Sequence, residues 1–466
     1  MVSGIEPKTM RTVKSLTRRI AGYGGRAFFV GGFVRDSLLG RKVKDVDIEV
    51  FGVGLDTLQV ILAEMGEVNL VGRQFGVLRL AGLDVDWSIP RQDSAGRHPR
   101  VAQDPGMSPE EASRRRDLTM NAMLQDVLTG EIIDPWGGRK DMENGVLRSP
   151  DLELFVEDPL RFYRVMQFAA RFEMKPDNEL KKICRHMAIR DVSVERIEEE
   201  FAKLLLEASR PSLGFRFLDE VGRIPEILPE LSRLKGTPQE PEWHPEGDVW
   251  EHTLQVVDAA AGLRRKEKQR DLSLMWAALC HDIGKPSTTT TREERIRTPE
   301  HDREGERLTG TLLQRIVKTE AVVRGAVKLV AHHMKVMQFY QNESTDKGFK
   351  RLALKLAPEA DLELLADLAL ADSRGVNPEG GAPLETGSEM VDWFLKKARE
   401  SRVNREPEKP VLKGRHLMGI IDPGPAMGRV LDEAYRIQIE EGIRDIEVLK
   451  KRALDTAGKR ESTREE

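Results

Sequence analysis

Phe29-Val30-Gly31-Gly32-Phe33-Val34-Arg35-Asp36, followed shortly by Asp45-Val46-Asp47, decides how the chain reads. Arg26–Val30 is a short apolar run that predicts a strand, the Gly pair breaks it, and Phe33–Leu39 begins a helix. Asp45–Phe51 alternates carboxylate and apolar residues with period two, as a half-buried strand does. Asp45 and Asp47 then leave the same sheet face about 6 to 7 Å apart, where two anions repel unless a cation lies between them. Mg²⁺ suits hard oxygen ligands and keeps positions free for phosphate oxygens. Asp86, in Leu83-Asp84-Val85-Asp86, sits on a further predicted strand and could complete a two-ion site. Taken alone, Asp-x-Asp also describes the wet face of an amphipathic strand. The preceding Gly-Gly turn changes that, because backbone N–H groups exposed around Gly32, with the charge of Arg35, suit a phosphate chain. A phosphate cradle beside an acidic pair suggests nucleotidyl transfer.

Outward from this stretch, Leu55–Met65 has helical spacing and Gly76–Ile89 reads as strand with a turn at Gly82. Ser108-Pro109-Glu110-Glu111 places a cap, a first-turn proline and first-turn acids, so a helix starts there and is expected to run past Asn121. From Asp158 to about Leu234 the pattern is helical, as in Leu160–Phe172 and Val194–Leu206. Gly236–Gly247 is rich in Pro, Gly and charge and reads as a linker, and Gly375–Gly387 as a second break. The chain of 466 residues is long enough for several domains. Apolar residues at 39 % against 33 % charged ones exclude wholesale disorder, and no run of roughly 18 apolar residues predicts a membrane span. Two cysteines, Cys184 and Cys280, cannot build a disulfide framework, which suits a reducing cytoplasm. The net charge of -4 does not announce a nucleic-acid partner, so one would be held by local basic patches.

Five ordered motifs resemble the class II tRNA nucleotidyltransferases and bacterial poly(A) polymerases of the polymerase-β-like superfamily. They are Gly31-Gly32-Phe33-Val34-Arg35-Asp36; Asp45-Val46-Asp47; Arg115-Arg116-Asp117-Leu118-Thr119-Met120-Asn121-Ala122; Glu157-Asp158-Pro159-Leu160-Arg161; and Glu195-Arg196 with Glu200 and Lys203. Asp134-Pro135-Trp136-Gly137-Gly138 is similar to the element between the family's head and neck. The resemblance implies metal binding and catalysis by Asp45 and Asp47, to which the strand reading above adds Asp86 as a third catalytic acid. It implies nucleotide contacts by Gly32, Arg35, Arg116, Asp117, Asn121, Asp158, Arg161 and Arg164. It also implies an α+β fold: a polymerase-β-like head with a small mixed sheet and helices, an all-α neck, and an all-α remainder.

Asp158 and Arg161 are three residues apart on a predicted helix and share a face. The resemblance makes them the readers of the incoming base. A carboxylate accepts from an exocyclic amine and a guanidinium donates to ring acceptors, which cytosine and adenine satisfy and uracil and guanine do not. Facing a carbonyl instead would cost about 1 to 3 kcal/mol or more. By spacing alone the pair is also an ordinary surface salt bridge. The polar segment Gln92–Ser113 reads as a loop; in the family a flexible element here accompanies the switch from CTP to ATP.

Six of nine histidines fall between His244 and His333, where uniform spread would give about two. His252, Cys280-His281-Asp282-Ile283-Gly284-Lys285, His301-Asp302, His332-His333 and Asp372 form an ordered set able to bind one or two divalent transition ions and activate water. The order is similar to that of the HD phosphohydrolases and of the HD domain of CCA-adding enzymes. That likeness implies His252, His281, Asp282 and Asp372 as ligands, His301 and His332 as second-ion ligands or phosphate contacts, and Mn, Ni, Co or Mg as the metal. Expected substrates are 2′,3′-cyclic phosphates, 2′-nucleotides or phosphomonoesters.

The expected domains are a catalytic head (1–150), a helical neck (151–235), an HD domain (245–375) and a helical RNA-binding tail (388–466). Lys413-Gly414-Arg415-His416-Leu417-Met418-Gly419 with Pro423-Gly424-Pro425 resembles the C-terminal part of bacterial CCA-adding enzymes. Arg171 with Lys175, Lys181-Lys182 with Arg185, Arg264-Arg265 with Lys266 and Lys268, and Lys450-Lys451-Arg452 read as solvated helix faces or RNA contacts. The expected activity is template-independent addition of CCA to tRNA from CTP and ATP, with an HD phosphohydrolase attached, in a cytoplasmic monomer or homodimer without membrane contact. The rival readings are a poly(A) polymerase or an A-only transferase, an HD phosphohydrolase whose first half only recruits RNA, and a catalytically silent RNA-binding protein.

Overall fold

Arg26–Val30 (β1) is an interior strand because both its faces are apolar: Ala27 and Phe29 enter one core, Phe28 and Val30 another. It pairs antiparallel with Asp47–Phe51 (β2), Phe29 opposite Ile48. The computed structural model describes residues 5–43, 45–71, 76–93 and 101–462. They form two units, residues 1–204 with 213–223 and residues 205–212 with 224–466.

In the first unit the sheet adds Val68–Val71 (β3), Val77–Leu80 (β4) and Asp86–Ser88 (β5). Beyond the pair Arg91–Asp93 (β6) and Val101–Gln103 (β7), it gains Leu124–Asp126 (β8) and Ile132–Ile133 (β9). Its order is β3-β4-β5-β2-β1-β8-β9. β2 and β5 run parallel and the other neighbours antiparallel, so the sheet is mixed. Helices Pro7–Gly22 and Leu55–Ala63 bury Val13, Leu16, Ile20, Leu58, Ile61 and Leu62 against Ile48, Val50, Leu78 and Trp87. That apolar face sends the alternate residues of β2, Asp47 and Glu49, to the opposite side.

Several boundaries differ from the sequence reading. Asp45 lies just ahead of its expected strand, which begins at Asp47. Gly76–Ile89 agrees with its reading as strand with a turn at Gly82, β4 and β5 lying antiparallel on either side of it. The helix capped by Ser108 and Glu111 stops at Arg114, and Thr119–Asn121 is a separate 3₁₀ turn. Asp117 is the reason. Its carboxylate accepts the Leu118 N–H and the Asn121 amide, a local alternative to helical hydrogen bonding. Of the polar segment Gln92–Ser113, residues 94–100 lie outside the described residues, and the remainder includes strand β7 and the capped helix.

Helices Leu160–Arg171, Asn178–His186, Val194–Glu207 and Ser212–Glu220 follow the sheet. Phe162 packs edge-on to Tyr163 and 5.9 Å from Phe217. Arg223 donates to the carbonyls of Cys184 and Met187, closing the C-terminal end of one of these helices.

The second unit is helical. Val249–Ala261, Lys268–Cys280, His301–Ile316, Glu320–His332 and Leu362–Arg374 carry the histidine set, and Pro425–Glu441 packs with Ile446–Ser462 around Leu417, Val430, Ile437 and Leu449. The expected linker is a folded part of this unit: Gly236 N–H bonds Asp248 and Val249 N–H bonds the Thr237 carbonyl. Cys184 and Cys280 are buried thiols, each pushed up to about 12 by burial. Among the described residues no helix is long and apolar enough to cross a membrane.

Phe217 is a fully packed ring in the first unit. Phe217→Ala is expected to cost about 3 to 5 kcal/mol, read as a lower denaturation midpoint of that unit.

Candidate active sites

In the first unit the acids meet through strand register. Asp47 and Asp86 are direct partners on the parallel pair β2–β5. Burial pushes the Asp47 carboxyl above its ordinary range, Arg116 opposes this, and Asp86 and Asp45 push the same way. Asp45 and Asp47 themselves face the open side of the sheet, and crowded acids of this kind suit a divalent cation. Asp86 is meanwhile drawn to Arg79, whose Nε donates to it at 2.6 Å.

The Gly-Gly turn lies at the adjoining end of β1. Gly31 has φ 62°, a conformation that favours glycine, and a side chain there would approach Arg116. Arg116 also stands 3.6 Å from Glu49, a buried acid the motif search passed over although it continues the alternation of Asp45 and Asp47. Arg35, expected at the phosphates, is turned inward instead. It is 7 % exposed, holds Asp36 through two hydrogen bonds, donates to Asn121, and lies over the Phe172 ring. Asn121 in turn donates to Asp117, which accepts from Arg164 at 2.6 Å. The buried Asp117 is thereby held below the usual carboxylate range, its hydrogen bonds and Arg164 outweighing the cost of burial. Arg35 and Arg164 therefore serve as struts joining the first, third and fourth motifs.

Asp158 precedes the helix rather than lying on it, and caps it by accepting the Leu160 N–H. Pro159 explains the shift, since the residue before a proline avoids helical geometry. Arg161 is on the helix, anchored to the carbonyls of Leu154 and Arg115. Arg196, from the fifth motif, stands 3.5 Å from Asp158. Of the basic faces, Arg264 donates to the Leu205 and Ala208 carbonyls, Arg265 binds Glu363 and Asp367, and Lys181 pairs with Glu220, so these are structural contacts. Arg114 pairs with Asp151 and keeps about half of its side chain in solvent.

In the second unit four imidazoles converge, three of them by one device. The Nδ1 atoms of His281, His301 and His333 each meet the carbonyl three residues earlier, at 2.9, 2.8 and 2.7 Å. A carbonyl only accepts, so each Nδ1 carries the ring proton and each Nε2 presents a lone pair. Those Nε2 atoms face inward: His252 to His281 at 3.2 Å, His301 to His333 at 3.1 Å. Asp282 lies between the two pairs, one oxygen 3.2 Å from His281 and the other 3.5 Å from His301, while Asp372 lies 2.9 Å from His252. Two three-residue groups result, His252–His281–Asp372 and Asp282–His301–His333, each able to hold a metal ion. Burial pushes His333 down to about 4, which keeps its ring neutral and fit to ligate.

His332 was the expected partner of His301, and the structure puts His333 there. Consecutive residues of a helical turn point about 100° apart, so only one of the two can face the group. Glu246, inside the expected linker, was also missed. It is buried, and one of its oxygens accepts from His244 at 2.9 Å and from His252 Nδ1 at 2.8 Å. Burial pushes this carboxyl up, but the bonds from His244 and His252 prevail and hold it at about 2. Burial likewise opposes a charge on His252, yet the bonds to Asp372 and Glu246 raise it to about 9. Glu246 thus orients His252 and makes its Nε2 a stronger donor. Lys285, quoted in the motif without a role, is buried with Nζ 2.6 Å from Asp282. Glu246→Ala is expected to weaken metal retention by the second unit roughly ten- to a hundredfold, measured by competition with a chelator. Glu246→Gln keeps an acceptor for His252 and should recover most of that loss.

Family models match three stretches: the poly A polymerase head domain at residues 27–148, the probable RNA and SrmB-binding site of polymerase A at 173–235, and the HD domain at 249–374. The multifunctional CCA protein of Methylococcus capsulatus is 33 % identical over 420 residues, covering 87 % of this chain and 92 % of that protein. Those of Aromatoleum aromaticum and Ralstonia nicotianae are 40 % and 38 % identical, and the matches span just under two thirds of their length, 64 % and 63 %. They cover 56 % and 58 % of this chain. Among solved structures, the Bacillus stearothermophilus CCA-adding enzyme in complex with CTP matches 98 % of this chain and all of its own, with TM-score 0.65 and 19 % identity. The Thermotoga maritima CCA-adding enzyme complexed with tRNA covers 97 % of this chain and 96 % of its own, with TM-score 0.58 and 18 % identity. These two likenesses concern the fold, whereas the nearly full-length Methylococcus match places this chain in the family of the multifunctional CCA proteins.

Proposed function

We propose that this chain adds CCA to the 3′ end of tRNA from CTP and ATP, and that its histidine centre hydrolyses phosphoesters. The observation that carries the first half is the in-register meeting of Asp47 and Asp86 beside the Gly31-Gly32 turn. In this reading Asp45, Asp47 and Asp86 hold Mg²⁺. The bound metal would lower the cost of forming an attacking 3′-oxyanion and offset charge on the departing pyrophosphate. The turn after β1 and Arg116 receive the triphosphate, with Glu49 steadying the guanidinium. Asp158 and Arg161 read the base edge, the first held by the helix start and the second by two carbonyls, so neither has to be ordered at the moment of binding. The bond formed joins the RNA 3′-oxygen to the α-phosphorus, and the bond broken releases pyrophosphate.

In the second unit, His252, His281, His301, His333, Asp282 and Asp372 would hold one or two divalent ions, Mn, Ni, Co or Mg, which would supply an activated water. Lys285 stands ready to offset phosphate charge. Water adds to phosphorus and the ester oxygen leaves, which on a 2′,3′-cyclic end opens the ring. Ring opening leaves a phosphomonoester on one of the two oxygens, and a second hydrolysis that releases phosphate would free the 3′-hydroxyl that the first centre needs.

A tRNA that ends at the discriminator base should gain CC with CTP alone and CCA with CTP and ATP, read by end-sequencing. Absence of C incorporation would overturn the assignment. Asp47→Ala should reduce addition on the order of a thousandfold, because several kcal/mol of charge stabilisation disappear. His281→Ala should abolish phosphoester hydrolysis while leaving CCA addition intact.

A further inference from the structure

Helix Leu160–Arg171 is gripped near both ends, and one grip at its far end comes from the segment that leads into Asp45 and Asp47. Near its start, Arg161 donates to the Leu154 and Arg115 carbonyls and Arg164 to Asp117. At the far end Arg41 donates through both terminal guanidinium nitrogens to the Arg171 carbonyl, at 3.3 Å each. A cation at this position also complements the helix dipole. The same guanidinium stands 4.4 Å from the centre of the Phe172 ring, which Arg35 approaches to 4.7 Å. Phe168, one turn earlier, packs 5.6 Å from Phe172 and has the Arg35 and Arg164 guanidiniums 5.5 and 5.2 Å from its own centre. Two rings at the end of one helix thus meet guanidiniums from the Gly-Gly motif, from the segment after it and from the helix itself.

Arg41 lies where the chain passes from helix Gly32–Leu38 to strand β2. Its backbone N–H bonds the Asp36 carbonyl at 2.8 Å, Val43 two residues on is buried in the core of the sheet, and Asp45 and Asp47 follow. Arg41 itself is exposed, so it adds little to the core. What its contacts fix is direction. A helix anchored at one end can pivot, and a second anchor sets its axis. Asp158 and Arg161 are at one end, and Arg41 grips the other about 15 Å away.

We infer that Arg41 is a positioning residue for nucleotide selection: by clamping the far end of the base-reading helix to the segment that carries Asp45 and Asp47, it sets where the base edge falls relative to the reacting phosphate. It acts through the helix and not on the nucleotide. The inference rests on the base-reading role of Asp158 and Arg161 proposed above. Selection against uracil depends on a carboxylate meeting a carbonyl with no room to turn away. A helix freed at its far end gives that room, so the wrong base is penalised less, while an ångström of misplacement costs the right one rate as well.

The test is single-nucleotide addition by the full-length protein with Mg²⁺ to a tRNA ending at the discriminator base, comparing kcat/KM for CTP and UTP. Arg41→Ala should lower the CTP-over-UTP ratio about three- to tenfold, with the tRNA KM and the melting temperature unchanged. Phe172→Leu should lower the ratio as much or more. In that background Arg41→Ala should cost less than it does alone, since both act through one contact. Arg41→Lys, which keeps a cation and a donor, should recover part of the ratio. An unchanged ratio in Arg41→Ala, equal losses with CTP and UTP, or fully multiplying losses in the double variant overturn the inference. Asp158→Ala reports separately on the base-reading role. If it keeps the wild-type ratio while Arg41→Ala loses it, the reading groups lie elsewhere on the helix and Arg41 still positions them. If Asp158→Ala loses the ratio and Arg41→Ala keeps it, the base-reading role stands and Arg41 has no part in selection.

Discussion

A neutral imidazole has one proton to donate, and the second unit directs that proton backwards in three of its four gathered rings, His281, His301 and His333. For His281 and His333 the acceptor is a carbonyl in the last turn of a helix, where helical bonding runs out; the Val330 carbonyl takes the His333 N–H as well as the ring. The same contact satisfies the helix end and fixes which nitrogen faces the cluster. Nothing about the ligands can then change without disturbing the fold, and the fold cannot rearrange without rotating a ligand. His252 has no helix end behind it and relies on Glu246 and the Gly375 carbonyl. It is accordingly the ring whose orientation hangs on an irregular segment.

The first unit solves the opposite problem. Its acids repel, and strand pairing forces them together because the apolar faces of β2 and β5 are committed to the core. Ile48 and Trp87 cannot leave that core, so Asp47 and Asp86 cannot leave each other's side. Electrostatic strain at the site is sustained by hydrophobic burial one residue away. The charged relay from Asp36 through Arg35, Asn121, Asp117 and Arg164 then ties the turn, the 3₁₀ segment and the following helix into one frame.

What could be read from residues alone follows this physics. An unbroken apolar run located β1, both of whose faces are buried, period-two alternation located β2, and order along the chain collected the histidine set. Val68–Val71 was missed because three of its four residues are exposed and no alternation marks it. The inward turn of Arg35 could not be read, since its partner Asn121 is 86 positions away. The choice between His332 and His333 depended on helical phase at a helix end, where one residue of uncertainty in the boundary reverses the answer. Glu246 escaped for a different reason. Its neighbours Pro245 and Gly247 are residues of turns, and composition cannot distinguish a turn that joins two bodies from one that lines a cavity.

That last confusion matters for anyone dividing this molecule. A shortened polypeptide beginning with the helix at Val249 retains all four gathered histidines with Asp282 and Asp372, and by inspection of its helices would pass for an intact module. It lacks the carboxylate behind His252, the Gln239 amide that accepts from Lys285 at 2.7 Å, and the Asp248 cap that accepts the Glu251 N–H. Proteolytic nicking between Gly236 and Gly247 would likewise dismantle the centre instead of releasing it, so the natural cut for dissection lies upstream of Gly236.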